Sequence, residues 1–187
     1  MAQLIPRIAT LVLLVEDIRQ ESLLRRFLNR LGLDIRNIRV SRTPRCFGAG
    51  EQYVREQYAA EVRELRGRAA NARALLIACI DADTREVRAR RDQFAEALRA
   101  DNQNPRGGRE PVLNLIAKRN IETWILCLNN VAVDELSDYR KDSRVTSQTV
   151  KRAVESLYDW TRPNAKIPPS CVPSLLESVP EFLRIPG

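Results

Sequence analysis

The sequence predicts an α/β fold in which helices cover both faces of a mostly parallel four-stranded sheet. Short apolar runs alternate with longer amphipathic stretches, and this alternation repeats four times along the first two-thirds of the chain. The runs are continuous, as in strands that are buried on both faces. Parallel strands need long crossover connections, usually helices, so four strand–helix repeats favour a parallel sheet.

The first repeat begins with residues 10–15, a run rich in Leu and Val that ends at Glu16 and Asp17. This run predicts a buried strand. A helix should follow, because apolar side chains recur at the spacing of one helical face until Gly32 stops the pattern. The apolar residues of that face are Leu24, Phe27, Leu28 and Leu31.

The second repeat is less regular than the first. Residues 35–41 predict a weaker strand, and residues 42–50 form a loop that contains a proline and two glycines. Residues 51–68 then predict an amphipathic helix. Its apolar face consists of Val54, Tyr58, Val62 and Leu65.

The third and fourth repeats complete the predicted sheet. Residues 74–80 predict a buried strand that ends at an Asp-x-Asp motif, and residues 84–100 predict a strongly charged helix. After a break rich in Asn and Gly, residues 112–116 predict the fourth strand. Residues 121–128 predict the helix that follows it.

The pattern changes in the C-terminal part of the chain. Residues 150–160 predict a helix, and six of the ten prolines lie between Pro163 and Pro186, which favours an extended tail. The chain is therefore expected to divide into an α/β domain at residues 1–133 and a helical, proline-rich extension at residues 134–187. We expect this extension to pack on the domain or on a partner.

The composition limits the possible chemistry, because the 187 residues include no histidine. This absence excludes Ser-His-Asp and Cys-His triads, histidine-bound zinc and haem on a proximal histidine. The net charge of +7 favours an acidic partner such as nucleic acid. However, 27 of the 31 basic residues are arginine, a bias that a GC-rich genome produces by itself.

The cysteines and the apolar segments indicate the compartment. The 4 cysteines form no Cys-x-x-Cys pair, so the sequence gives little support to a zinc or iron–sulfur site, and their low density is typical of reduced thiols. The first apolar run is too short to span a bilayer and leads into acids instead of a small-residue cleavage site. We expect a cytoplasmic protein that does not contact membranes.

Charged side chains follow three of the predicted strands. Glu16 comes after the first strand, Asp81 and Asp83 after the third, and Lys118 with Arg119 after the fourth. The carboxyl ends of parallel strands meet at one sheet edge, where ligands bind in such folds. Clustered carboxylates repel one another, and Mg²⁺ or Mn²⁺ would neutralise them and support phosphodiester hydrolysis without histidine.

These residues resemble the topoisomerase–primase (TOPRIM) family, which includes the nuclease domains of overcoming-lysogenisation-defect proteins and their small stand-alone relatives. The similar features are Glu16 after an apolar strand, Glu21 five residues later, and the Asp81-x-Asp83 motif. Residues 119–124, Arg-Asn-Ile-Glu-Thr-Trp, are similar to an Arg/Glu-Trp segment of the small relatives.

The resemblance covers residues 10–128, with a weaker likeness at residues 173–184, and it implies a metal-dependent nuclease. The family usually has Gly directly after the first Glu, where this chain has Asp17. In the family, the implied ligands of Mg²⁺ or Mn²⁺ correspond to Glu16, Asp81 and Asp83. Further catalytic roles are implied for Glu122 and for Lys118 or Arg119, which would steady the charge of the scissile phosphate. The resemblance also implies an ATPase partner protein and bacterial defence against phage or mobile DNA. Nucleic acid is the expected partner, with DNA favoured over RNA.

Two pairs of arginines are candidates for contact with a nucleic-acid backbone. Arg42 and Arg45 lie in the glycine-containing loop before a helix, where backbone N–H groups could meet phosphate, although a plain connection explains the same pattern. Arg88 and Arg91 lie on the charged helix at residues 84–100. Its arginines spread around the helix, so a solvated face is the preferred interpretation and a phosphate-binding face is the alternative.

Structural roles are the alternative for several of these residues. Glu16 could hydrogen-bond the start of the next helix, and Asp81 or Asp83 could cap the helix that begins near residue 84. Glu122 could pair with Arg119. A chain with such roles would be a catalytically silent adaptor that keeps the fold and binds a larger ATPase or an inhibitor.

A third possibility is a receiver domain of a response regulator. Residues 13–17, Leu-Leu-Val-Glu-Asp, are very like the opening of a receiver, whose paired acids hold Mg²⁺. A receiver places its phosphoacceptor closer in sequence to this pair, before a Met-Pro dipeptide. Here Asp81 lies 65 residues after Glu16, and Thr84-Arg-Glu follows it.

Overall fold

A computed structural model describes residues 8–44, 48–68 and 74–185 and confirms the α/β class. The four strands pair in parallel in the order β2-β1-β3-β4, and β1 and β3 are the central pair. Their bounds are β1 Thr10–Val15, β2 Ile38–Arg42, β3 Ala74–Asp81 and β4 Val112–Ala117.

In the part of the chain that the structure describes, six helices connect and flank the strands. Within the described ranges, no helix combines the length and the apolar character that a membrane span requires. Gly32 adopts φ 84° just after the first helix, as the predicted stop signal requires. The bounds are α1 Ile18–Arg30, α2 Gly50–Arg68, α3 Val87–Ala100, α4 Ile121–Leu128, α5 Ser147–Trp160 and α6 Pro173–Phe182.

The sheet has a separate hydrophobic core on each face. Successive side chains of a strand point to opposite faces, so β1, β3 and β4 contribute to both cores, whereas β2 contributes Ile38 and Val40 to one core only. In β1, Leu11 and Leu13 pack in a cluster with α1, α4, α5 and α6, whereas Val12 and Leu14 pack with α2 and α3. This double coverage explains why β1, β3 and β4 are largely continuous apolar runs, whereas β2 alternates apolar and polar residues.

The C-terminal helices share the first of these cores. The ring of Phe182 in α6 meets the ring of Phe27 edge-on at a centroid distance of 5.3 Å, and that of Trp124 at 6.3 Å. The Trp124 Nε1 donates a 2.7 Å hydrogen bond to the Oγ of Ser174. Both α5 and α6 are therefore packed directly on the α/β part of the chain.

The structure differs from the sequence predictions mainly at the ends of elements. Helix α3 begins at Val87, three residues later than predicted, and β2 begins at Ile38 because Ile35–Asn37 forms a short 3-10 helix. The proline-rich tail is not wholly extended, because it contains α6. Pro173 opens that helix at a position whose N–H would have no helical partner.

Candidate functional site

The carboxyl ends of β1, β3 and β4 lie next to one another, because β3 is the middle strand of the three. Glu16 follows β1, Asp81 ends β3, and Asp83 lies two residues beyond it. Asp81 is only 3% exposed. The edge predicted from the sequence therefore exists, and it brings carboxylates from separate segments together.

A closed set of hydrogen bonds joins β1, α1 and β3 at this edge. The backbone N–H of Glu16 donates to Gln20 Oε1 at 2.9 Å, and Gln20 Nε2 donates to Asp81 Oδ1 at 3.0 Å. The backbone N–H of Asp81 in turn donates to the carboxylate of Glu16. Gln20 and Asp81 are buried and Glu16 is half-buried, so this network positions both carboxyl groups at the border between the interior and the surface.

Burial makes these carboxyl groups harder to ionise. The pKa of Glu16 is raised to about 7, chiefly by burial and also by the charges of Asp83 and Asp17, whereas the hydrogen bond from Asp81 N opposes this shift. Burial also raises the pKa of Asp81, and the charges of Glu16 and Asp17 add to that shift. Without an added positive charge, these carboxyl groups resist ionisation. A bound cation would favour their ionised forms.

Gly50 allows the approach of α2 to this network. A Cβ at Gly50 would lie 3.0 Å from the Glu16 Cβ and 3.1 Å from its Oε2. Such distances are too short for an ordinary Cβ contact, so a larger residue would displace the Glu16 side chain. The last glycine of the predicted loop is thus explained by its contact with a site residue.

Asp83 has different partners from Asp81. Its backbone has φ 55°, a left-handed conformation that aspartate tolerates better than most residues. The guanidinium of Arg140 hydrogen-bonds one of its oxygens, and Arg90 Nη2 lies 3.7 Å from the other. Arg140 Nη2 also lies 4.0 Å from Asp81 Oδ2, so one arginine contacts both acids of the motif.

Arg90 is buried, which contradicts the solvated face expected for the arginines of α3. Its Nε donates to the carbonyl oxygen of Asp81 at 3.1 Å, and its Nη1 donates to Glu51 Oε2 at 2.7 Å. A desolvated guanidinium needs such acceptors. Arg90 therefore holds the end of β3 against α2 and α3.

The two basic residues after β4, Lys118 and Arg119, have different partners. The Lys118 Nζ lies 2.6 Å from Glu86 Oε1 and 2.8 Å from the carbonyl oxygen of Arg85. Its ammonium therefore ties β4 to the segment before α3. Arg119 Nη2 lies 3.9 Å from Asp138 Oδ2, so the pairing of Arg119 with Glu122 that the sequence allowed is not observed.

Glu122 is buried in the first turn of α4 and belongs to the same electrostatic cluster. Its pKa is raised to about 7, chiefly by burial and also by the charge of Asp17, although a backbone hydrogen bond and the charges of Arg19 and Arg140 act in the opposite direction. Glu122 also contributes to the raised pKa of Asp81. A fourth carboxyl group therefore shares the edge.

The capping roles considered for the acids fall on other residues. Asp17 caps α1 by accepting hydrogen bonds from two backbone N–H groups at 2.8 and 2.9 Å, whereas Glu16 accepts from β3. The residue before α3 is Glu86, which makes no capping hydrogen bond. Asp81 and Asp83 do not cap that helix, so those structural alternatives are wrong.

The candidate nucleic-acid contacts are scattered over the surface. Arg42 Nη1 lies 3.1 Å from Glu21 Oε2, and Arg91 Nη2 lies 2.7 Å from a carboxylate of α6. Arg88 is exposed at the start of α3. Arg45 lies outside the described residues.

The donor set suits a hard divalent cation, because Glu16, Asp81, Asp83 and Glu122 offer only oxygen. The raised pKa values of the buried acids also fit a site that a cation would neutralise. In the present side-chain arrangement, however, no group of three or more acidic or cysteine residues is placed to hold a metal, among residues 8–44, 48–68 and 74–185. Three carboxylates could share an ion only if Asp83 released the guanidinium of Arg140 and bound the ion instead.

Sequence reasoning missed Gln20, Arg90, Asn120, Asp138 and Arg140. Gln20 could have been noticed, because it precedes Leu24 and Phe27 on the apolar face of α1 and is therefore a buried polar residue. Asp138 and Arg140 carry no comparable signal, because they come from the segment between α4 and α5, far along the chain from the strands.

Comparison of the chain with protein-family models, curated proteins and solved structures finds no match. The TOPRIM resemblance therefore rests on the motif residues alone.

Proposed function

We propose that this protein is a cytoplasmic, Mg²⁺- or Mn²⁺-dependent nuclease that hydrolyses phosphodiester bonds of nucleic acid. The observation that carries the proposal is the convergence of Glu16, Asp81, Asp83 and Glu122 on one sheet edge, with raised pKa values for three of them. Perturbed carboxyl groups from separate segments are typical of functional sites.

The carboxylates would hold the ion, and the network around them would keep them in position. Gln20 orients Asp81, and the N–H of Asp81 orients Glu16, so neither group needs to be ordered when a substrate binds. When bound, Mg²⁺ or Mn²⁺ would neutralise charge on the phosphate and on the departing oxygen.

Two further residues have chemistry that suits phosphodiester hydrolysis. Glu122, with a pKa of about 7, can exchange a proton with water near neutral pH. Arg119 is a better candidate than Lys118 for the phosphate, because the Lys118 ammonium is already bound to Glu86. A guanidinium can offer two parallel N–H groups to a phosphate.

The experiment compares the wild type with Asp81→Asn and Asp83→Asn in hydrolysis of supercoiled plasmid and of RNA with Mn²⁺. We expect each variant to lose at least about 100-fold in rate, because each removes charge that the transition state requires. Asp92→Asn is the matched control, since it removes one exposed carboxylate of α3. Unchanged activity in both site variants would contradict the nuclease.

A catalytically silent adaptor is the second candidate, and one contact favours it. Arg140 already supplies a positive charge to Asp83 and lies within 4.0 Å of Asp81, so the acids have a partner without metal. Calorimetry with Mn²⁺ separates the two functions. A nuclease site should bind Mn²⁺ more tightly in the wild type than in Asp81→Asn, whereas an adaptor should give the same result for both proteins.

The wider context comes from the resemblance alone. An ATPase partner, DNA in preference to RNA, and a role in defence against phage or mobile DNA are part of the proposal on that ground. The plasmid and RNA arms of the assay test the substrate preference directly.

A further inference from the structure

The segment between α4 and α5 lies across the candidate site and contributes one acidic and one basic side chain to it. Asp138 and Arg140 are two residues apart, and the backbone N–H of Arg140 donates to Asp138 Oδ1 at 3.0 Å. Arg140 contacts the acids after β3, whereas Asp138 contacts the residues after β4. The segment therefore places opposite charges on the two halves of the site.

Asn120 provides a fixed donor beneath Asp138. Its Oδ1 accepts hydrogen bonds from the backbone N–H and the hydroxyl of Thr123, at 3.2 and 3.1 Å. These bonds set the orientation of a fully buried amide, so its Nδ2 points away from Thr123 and donates to Asp138 Oδ1 at 3.0 Å. Asn120 is therefore preorganised to bind an anion.

Two guanidinium groups complete the surroundings of Asp138 but are poorly matched to it. Arg119 Nη2 lies 3.9 Å from Asp138 Oδ2, and Arg140 Nη1 lies 4.0 Å from the same oxygen. Both distances exceed that of a hydrogen bond. In addition, the Nε of Arg119 is buried without a hydrogen-bond partner. The side-chain donors around Asp138 therefore exceed those that its carboxylate hydrogen-bonds, because only the Asn120 amide is within hydrogen-bond distance.

A phosphate group matches these donors better than a carboxylate does. It carries more oxygens in a tetrahedral arrangement, so it can accept from Asn120 and from two guanidinium groups at once. Arginine is well suited to such contacts because its planar N–H groups can bind two phosphate oxygens together. The excess of donors thus indicates the chemical class of the ligand.

We propose that Asn120, Arg119 and Arg140 form a phosphate-binding site in which Asp138 of the same chain takes the place of the phosphate. A phosphate group displaces the Asp138 carboxylate when it binds, and the carboxylate competes with it until then. This inference rests on the proposed function, because it names the subsite that would hold the phosphate next to the carboxylates. Binding itself requires neither metal nor hydrolysis.

The test measures the binding of inorganic phosphate by calorimetry, with EDTA present to exclude divalent cations. Asp138→Ala should bind phosphate at least about tenfold more tightly than the wild type, because it removes a competing charge from charge-assisted donors. Asp142→Ala is the matched control. It removes one carboxylate from the same segment, where that group pairs with the neighbouring Arg144.

A second substitution ties the gain to the proposed donors. Adding Arg119→Gln to Asp138→Ala should return phosphate affinity to the wild-type level or below. If Asp138→Ala does not fold, Asp138→Asn removes only the charge and keeps an acceptor for Asn120. Equal phosphate affinity in the Asp138 and Asp142 variants would overturn the proposal, as would a gain that Arg119→Gln leaves intact.

The same titrations with a dinucleoside phosphodiester identify the source of the phosphate. Tighter binding of the diester by Asp138→Ala assigns the site to a nucleic-acid backbone, whereas a gain for inorganic phosphate alone assigns it to free phosphate. Failure of the proposed nuclease is distinguishable, because it would appear as unchanged hydrolysis in the Asp81 and Asp83 variants. Phosphate binding in EDTA would be unaffected by that result.

Discussion

At the scale of single residues, Asp81 illustrates how the site is built. Its carboxyl group is buried at the end of β3 and contacts Gln20 from α1, while its backbone N–H binds Glu16 after β1. A buried carboxylate is costly unless hydrogen bonds or a positive charge compensate it. Arg140, 4.0 Å away, is a partial compensation, so the site stays receptive to a cation.

The raised pKa of Glu16 makes stability depend on pH. Its pKa is about 7 in the folded protein and 4.5 in its ordinary state, so between these values the folded protein holds a proton that the unfolded chain has released. Stability should therefore fall as pH rises from about 4.5 to about 7. The groups that face Glu16 are Asp17, Asp81, Asp83 and Arg90.

Glu16→Gln should remove the fall in stability with rising pH, because the amide does not ionise and its oxygen can still accept the hydrogen bond from Asp81 N. We expect the variant to exceed the wild type in free energy of unfolding at pH 8 by about 1–3 kcal/mol, and by much less at pH 4.5. Urea denaturation in EDTA measures both values. Glu56→Gln on the exposed side of α2 controls for the loss of one charge, and a Glu16→Gln effect of equal size at both pH values would contradict the explanation.

At the scale of elements, the hydroxyl of Ser174 links α6 to the strand and helix that carry the last residues of the site. The Oγ of Ser174 accepts hydrogen bonds from Trp124 Nε1 at 2.7 Å and from the backbone N–H of Lys118 at 3.1 Å. One side chain therefore connects α6 to α4 and to the end of β4. This connection fixes the segment that carries Lys118 and Arg119.

Ser174→Ala should destabilise the protein by about 1–3 kcal/mol, because it leaves two donors without their acceptor. Urea unfolding followed by far-UV circular dichroism measures the change. Ser178→Ala is the control within the same helix, since its hydroxyl donates only to the carbonyl oxygen of Ser174 at 2.8 Å. If Ser174→Ala lowers the free energy of unfolding no more than Ser178→Ala does, the two hydrogen bonds to the Ser174 hydroxyl do not contribute the expected stability.

The elements themselves were largely predictable, and the exceptions have local causes. Strand β1 and helix α4 have the predicted bounds, because each has a clear apolar pattern and a polar residue at its boundary. Helix α6 was missed because Pro173 and Pro180 were interpreted as breakers. A proline at the first position of a helix is compatible with that helix, so the position of the proline matters more than its presence.

At the scale of the whole molecule, many arginines are in ion pairs, and the net charge of +7 is the excess of basic over acidic residues that these pairs leave. Arg39 pairs with Glu61, Arg66 with Glu110, and Arg106 with Glu181. These arginines join elements of the fold, so their positive charge is largely compensated. Nucleic-acid binding should therefore depend on the arginines near the carboxyl edge instead of on the total charge.

Arg88 lies at the end of α3 that is next to this edge, and Arg99 lies at the opposite end of the same helix. If Arg88 contacts a phosphate, Arg88→Ala should reduce the slope of log affinity against log salt by about 0.7–0.9, whereas Arg99→Ala should leave it unchanged. Titration of a labelled oligonucleotide at several salt concentrations measures both slopes. Equal slopes for the two variants would assign the binding to charge alone.

The sequence by itself determined the α/β class, the order of the strands and helices from β1 to α5, and the positions of Glu16, Asp81 and Asp83 at the carboxyl ends of the strands. Local periodicity and strand ends carry that information. Only the tertiary structure revealed that Gln20 links two carboxyl groups and that Asp138 and Arg140 lie across them. Those contacts join residues far apart in the chain, and their geometry depends on how the helices pack, so no local pattern encodes them.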